Sequence, residues 1–87
     1  MIYQREKDTV SAYLDGDICI FDSKKYQYLN LNQTASFIWD LIEEPKTLSE
    51  IMNELDKFYD IEYKKCIIEV NNFLNEGIQK SLIKVKE

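Results

Sequence analysis

The spacing of apolar residues changes once along the chain, at Asn32, and this change limits the folds that are open to it. Before Asn32, apolar and polar residues alternate in short runs, which is the period of half-buried β-strands. After Asn32, apolar residues recur at helical intervals. A small sheet cannot bury its apolar face alone, so helices must cover it. The sequence therefore predicts an α+β, winged helix-turn-helix-like domain in the order β-β-β-α-α-α.

The part before Asn32 predicts a three-stranded antiparallel β-meander. Its strands are expected at residues 9–14, 17–22 and 26–31. In the first run Val10, Ala12 and Leu14 alternate with more polar neighbours, so we expect these three side chains to form the buried face. The pair Asp15-Gly16 lies between the first two runs and is a strong signal for a hairpin turn.

The part after Asn32 predicts three helices. Asn32 is a good N-cap for the first, and Pro45 forces the chain out of the helical conformation after it. Thr47 and Glu50 have the spacing of a capping box, which begins the second helix. The third and longest helix is expected from about residue 62 to about residue 80. The last apolar residues predict a short extended tail that packs back on the domain: Leu82, Ile83 and Val85.

Composition limits the classes of function. The 87 residues fit one domain, residues 1–87. A net charge of −5 argues against sequence-independent binding to phosphates, which requires clustered Lys and Arg. The chain has no histidine, the commonest general base and metal ligand, and its two glycines cannot form a phosphate loop. We therefore expect no catalysis, no metal and no cofactor.

The cysteines and the hydropathy pattern predict a cytoplasmic protein. Cys19 and Cys66 lie far apart and match no metal-ligand spacing, so we expect two reduced, mostly buried thiols. No apolar run approaches the length of a membrane helix, and residues 1–8 lack the apolar core of a signal peptide. No contact with a membrane is expected.

Several segments together carry a resemblance to a known family. Residues 26–35 followed by 38–42 resemble a core pattern y-x-L-N-x-x-A-x-x-I-W-x-L. Residues 47–51 fit a helix start of the form T-hydrophobic-x-E-I. Residues 70–74 and 81–83 resemble an ending V-x-x-F-L … G-L-I, with Ser81 where many members have glycine. On these motifs the chain resembles PqqD-like proteins over about residues 9 to 85.

The resemblance implies a noncatalytic peptide-binding module. PqqD-like domains recognise the leader segment of ribosomally synthesised, post-translationally modified precursor peptides. In the family, the leader adds as a strand to the edge of the third β-strand, in a groove against the third helix. Standalone members serve lasso-peptide proteases and radical-SAM enzymes. The resemblance thus implies two partners, a precursor leader peptide and a modifying enzyme or leader peptidase of the same pathway.

Candidate peptide-binding residues lie on the third predicted strand and on the third predicted helix. A strand at the end of a meander has one free edge, which is a template for strand addition. Tyr26 and Tyr28 either face the groove, which we expect, or shield the outer face of the sheet. Ile68 is apolar where the helical wheel predicts solvent. Cys66 and Phe73 lie at the margin of the core side and either line the groove or pack in the core. The candidates are Lys25, Tyr26, Gln27, Tyr28, Leu29, Asn30, Lys65, Cys66, Ile68, Glu69, Asn72 and Phe73.

Two other functions fit a domain of this shape. A winged helix could bind nucleic acid through its third helix, but Lys64 and Lys65 are offset there by Glu62, Glu69 and Glu76, so we expect no nucleic-acid partner. The chain could also be a structural subunit that docks on a larger enzyme. Free strand edges allow either a monomer or a weak, strand-swapped dimer.

Overall fold

The fold of the protein comes from a computed structural model, which describes residues 1–15 and 17–87. Strands dominate the first third of the chain and helices the rest. The elements are β1 (Ile2–Arg5), β2 (Val10–Leu14), β3 (Asp17–Asp22), β4 (Gln27–Leu31), α1 (Gln33–Leu41), β5 (Lys46–Thr47), α2 (Leu48–Phe58), α3 (Tyr63–Gln79) and β6 (Ile83–Lys86). The predicted α+β class, with the β-meander followed by three helices, is confirmed.

The strands form two separate three-stranded sheets. The predicted meander is the antiparallel sheet β2-β3-β4, in which Leu14 pairs with Asp17 at the hairpin; Gly16 of the predicted turn lies outside the described residues. The second sheet has the order β5-β1-β6 and was not predicted. Its strand β6 confirms the predicted tail, which pairs antiparallel with β1 so that Tyr3 lies opposite Val85.

The buried face of β2 is the opposite of the one predicted. Val10 and Leu14 are 61% and 63% exposed, so the set that includes Ala12 points to solvent. Ser11 instead lies in the inward-facing row and accepts a hydrogen bond from Trp39 Nε1 at 2.8 Å. The reason is that the buried indole N–H needs an acceptor, which the hydroxyl supplies and an apolar side chain cannot.

The helices begin where their capping residues predict. The Asn32 side chain accepts from the backbone N–H of Ala35 at 2.8 Å, which caps α1. Thr47 and Glu50 form the predicted capping box of α2, with both reciprocal hydrogen bonds present. None of the helices among the described residues has the length and hydropathy to cross a membrane.

One apolar core joins the helices to both sheets. Ile20 from β3, Trp39 from α1, Ile51 from α2 and Val70 from α3 are all at most 1% exposed. Ile83 from β6 belongs to the same cluster, so the second sheet also contributes to this core. This packing fixes α3 beside β4, and the candidate site lies between them.

Gly77 permits the close approach of α3 and β6. A Cβ at this position would overlap the Cδ1 and Cγ1 atoms of Ile83, which is 3% exposed. We expect Gly77→Ala to lower the free energy of unfolding by about 1–3 kcal/mol because the core is overpacked. Adding Ile83→Val removes the clashing Cδ1, so the double variant should regain part of the loss. Urea denaturation checks this, and strictly additive losses would contradict the proposed clash.

Candidate peptide-binding site

A groove runs between the free edge of β4 and one face of α3. In the sheet order β2-β3-β4, one edge of β4 pairs with β3, which leaves the other edge without a strand partner among the described residues. Glu69, Phe73 and Glu76 follow each other at helical spacing on α3 and line the groove opposite Asn30 and its neighbours. An unpaired strand edge beside a groove offers backbone N–H and C=O groups to an extended peptide.

The groove has a polar section and an apolar notch. The polar section encloses about 390 Å³ and includes Asn30, Asn32, Asn72 and Glu69. The notch is smaller and lies under Leu29. Leu31, Phe73 and Glu76 line both parts, so the two are continuous. A strand added to β4 would place alternate side chains into this groove and the others toward solvent.

The structure brings together some of the predicted site residues but not all of them. Leu29, Asn30, Glu69, Asn72 and Phe73 line the groove. Gln27 is exposed at the start of β4. Lys25 is exposed in the preceding turn.

Three predicted residues of α3 lie outside the lining of the groove. Lys65 is exposed and forms an ion pair with Glu62 at 3.5 Å. Cys66 is buried in the core, where burial raises the pKa of its thiol and the nearby Glu69 carboxylate raises it further. Ile68 is 61% exposed, as the helical wheel predicts, and lies one turn before Asn72 on α3.

The two tyrosines lie on the outer face of the meander rather than in the groove. Tyr28 pairs in register with Phe21, and the two ring centroids are 5.2 Å apart. Tyr26 precedes the strand with φ = 53° and packs edge-on against the same phenylalanine at 6.5 Å. Because side chains alternate along a strand, placing Leu29 inward places Tyr28 outward. The expectation that both tyrosines face the groove was therefore wrong.

The first turn of α1 contributes groove residues that the sequence argument missed. Asn32, Thr34 and Ala35 close the polar section at the end of β4. The sequence contained a signal for these residues, because the N-cap Asn32 directly follows β4 and therefore places the first turn of α1 at the end of that strand. The Asn32 Oδ1 atom is used by the cap, and its side-chain amide group remains as a donor.

The chain is a small α+β domain with a free strand edge against its last long helix, and a free edge is a template for the addition of an extended strand. The family model "Coenzyme PQQ synthesis protein D (PqqD)" matches residues 18–83, and the chain belongs to this family. No curated protein matches the chain at a significant level.

Two solved structures establish the fold by similarity. The structure of TbiB1 in complex with the TbiA(beta) leader peptide aligns with a TM-score of 0.82 at 24% identity, covering 97% of this chain and 98% of that one. Lasso peptide synthetase B1 complexed with the leader peptide aligns with a TM-score of 0.79 at 14% identity, covering 95% and 98%. Both structures contain a leader peptide, and both proteins share the fold of this chain.

Proposed function

We propose that this chain is a noncatalytic module that binds the leader segment of a ribosomally synthesised, post-translationally modified precursor peptide. The leader adds as a strand to the free edge of β4 and lies in the groove against α3. The module then delivers the leader to a maturation enzyme, either a lasso-peptide protease or a radical-SAM enzyme. The observation that carries the proposal is the open edge of β4 beside the groove. Membership of the PqqD family and the two leader-bound structures of similar fold support it.

The chemistry of the groove suits an extended peptide. Backbone groups of β4 supply hydrogen bonds of about 1 kcal/mol each, independently of the peptide's sequence. Leu29, Leu31 and Phe73 at the mouth of the notch offer apolar contact to the peptide, worth about 25 cal/mol per Å² of apolar surface buried. Asn30, Asn32 and Asn72 supply donors and acceptors at the rim. Ordering a disordered leader costs about 2–5 kcal/mol, so binding in the micromolar to millimolar range is expected.

The surface of α3 does not favour the nucleic-acid alternative. Its start carries two lysines, Lys64 and Lys65, close to Glu62 in sequence, and Lys65 is ion-paired with Glu62 at 3.5 Å. Further along, Lys80 is ion-paired with Glu76 at 3.1 Å. A phosphate-binding helix requires a net basic face, which this helix lacks.

An NMR titration tests leader binding directly. The ¹⁵N-labelled protein is titrated with synthetic leader peptides encoded by short reading frames beside its gene. We expect shifts of the amide signals to concentrate on β4 and on residues 69–76 of α3. Strand addition changes the hydrogen bonding of the β4 amides, and the bound peptide changes the surroundings of α3. Shifts confined to α2, or none with any neighbouring leader, would refute the proposal.

A further inference from the structure

A cleft of about 580 Å³ separates the two sheets at the far end of α3. One wall is the turn of residues 6–9 together with the corner Asp22–Lys24 at the end of β3. The other wall is the end of α3 with the first part of β6. The cleft begins at the turn that directly precedes β4. It shares no lining residue with the polar section of the groove described above.

The cleft adjoins the apolar notch of the β4 groove. Lys80, Leu82 and Ile83 line both the cleft and the apolar notch under β4. The notch in turn shares Phe73 with the polar section of the groove. The shared lining residues therefore place the cleft next to β4 and to the groove on α3.

The edge of β6 carries backbone groups that face this cleft. In the sheet order β5-β1-β6, β6 has no strand on its second side among the described residues. The Glu6 N–H donates to the Leu82 carbonyl at 2.9 Å, so these two residues form a hydrogen-bonded pair. Along two antiparallel strands, hydrogen-bonded pairs alternate with pairs whose backbone groups point away from each other. Lys84 then directs its backbone groups toward β1, whereas Ile83 and Val85 direct theirs away from β1, toward the cleft.

A buried carboxylate lies at the opposite wall. Asp22 is 4% exposed, and its Oδ1 atom accepts a hydrogen bond from the backbone N–H of Lys24 at 3.1 Å. Its Oδ2 atom accepts no hydrogen bond from the described residues and remains accessible to solvent at the cleft. A hydrogen bond to this carboxylate would therefore stabilise a donor that enters the cleft from a ligand.

We infer that the leader segment leaving β4 at Gln27 continues into this cleft, adds as a strand to the edge of β6 and donates a hydrogen bond to Asp22. This inference rests on the proposed function, because it extends the footprint of the same peptide. The ligand class is an extended peptide segment with an N–H-bearing side chain, such as lysine, arginine, asparagine or glutamine. The domain would then hold one peptide at two strand edges, one on each sheet.

Amide hydrogen exchange measured by NMR tests the pairing without mutation. With a saturating leader peptide from a reading frame beside the gene, exchange at Ile83 and Val85 should slow at least tenfold, because both N–H groups gain acceptors. Lys84 is the internal control, since its N–H is directed to β1 with or without peptide. Protection of β4 amides with no change at Ile83 and Val85 overturns the inference and leaves the proposed function standing. No protection at either edge overturns both.

A blocking variant tests whether the leader enters the cleft. Ser23→Trp places a bulky side chain at the rim of the cleft, and Ser49→Trp makes the same change at an exposed site on α2 as a matched control. Ser23→Trp should weaken binding of the full leader at least tenfold. It should leave unchanged the binding of a leader shortened at the end that passes Gln27. Equal effects on both peptides, or no effect on either, overturn the inference.

Discussion

Trp39→Ala is expected to lower the free energy of unfolding by about 3–5 kcal/mol, the largest loss from any single truncation in this core. Trp39 is fully buried, donates to Ser11 and lies under the Arg5 guanidinium, whose Cζ atom is 5.2 Å from the ring centroid. Its removal leaves a cavity where α1 meets β2. The free energy of unfolding of a small domain is only about 5–15 kcal/mol, so a substantial unfolded fraction of the variant is expected at 37 °C. Urea denaturation followed by circular dichroism measures the loss.

Ser11→Ala separates the hydrogen bond from the packing. It leaves the buried Trp39 N–H without its acceptor, so we expect a loss of about 1–3 kcal/mol with the indole still in place. Val10→Ala is the control on the same strand, because its side chain is exposed and should change stability by less than about 0.5 kcal/mol. If Val10→Ala proved more harmful than Ser11→Ala, the inward face of β2 would have been assigned wrongly.

Phe73→Ala is expected to weaken leader binding about 10- to 30-fold. Phe73 lines both the polar section and the apolar notch, so its loss removes the apolar wall shared by the two. Losing about 1.4–2 kcal/mol of apolar contact corresponds to that factor in the dissociation constant. The NMR titration measures it, with circular dichroism used to confirm that the variant is folded.

Phe58→Ala is the matched control for this effect. Phe58 lies on α2, is 64% exposed and packs against Phe37 with ring centroids 5.8 Å apart, away from the groove. The same truncation there should leave the dissociation constant unchanged within twofold. Comparable weakening by both variants would mean that binding responds to overall stability and that Phe73 is not part of the binding surface.

The sequence predicted those elements that depend on interactions between residues close together in the chain. The Asn32 cap and the Thr47–Glu50 capping box depend on residues within one turn of each other, and both are found where the sequence places them. The period of the apolar pattern likewise gave β2, β3, β4 and the three helices. These features need no knowledge of the rest of the fold.

The features that the sequence analysis missed depend on distant partners. Strand β1 has only four residues, and its pairing partner β6 is at the opposite end of the chain, so its pattern alone gives no strand signal. Alternation shows that β2 is a strand but not which of its faces is buried. The buried face is the one with Ser11, because the Trp39 indole N–H needs its hydroxyl as an acceptor. The same ambiguity put Tyr28 on the wrong side of β4 in the sequence argument.

The pairing of Ile2 with Lys86 has a consequence for the order of folding. Contacts between residues far apart in sequence require a large loop to close, and the entropy of that closure delays them. The meander is held by hairpins and the helices by local contacts, so both can assemble before the ends of the chain meet. We therefore expect the polar section of the β4 groove, which no residue of β6 lines, to form early, and the cleft at β6 to form only after the terminal strands have joined. In native-state exchange, the terminal sheet should be the first part to open.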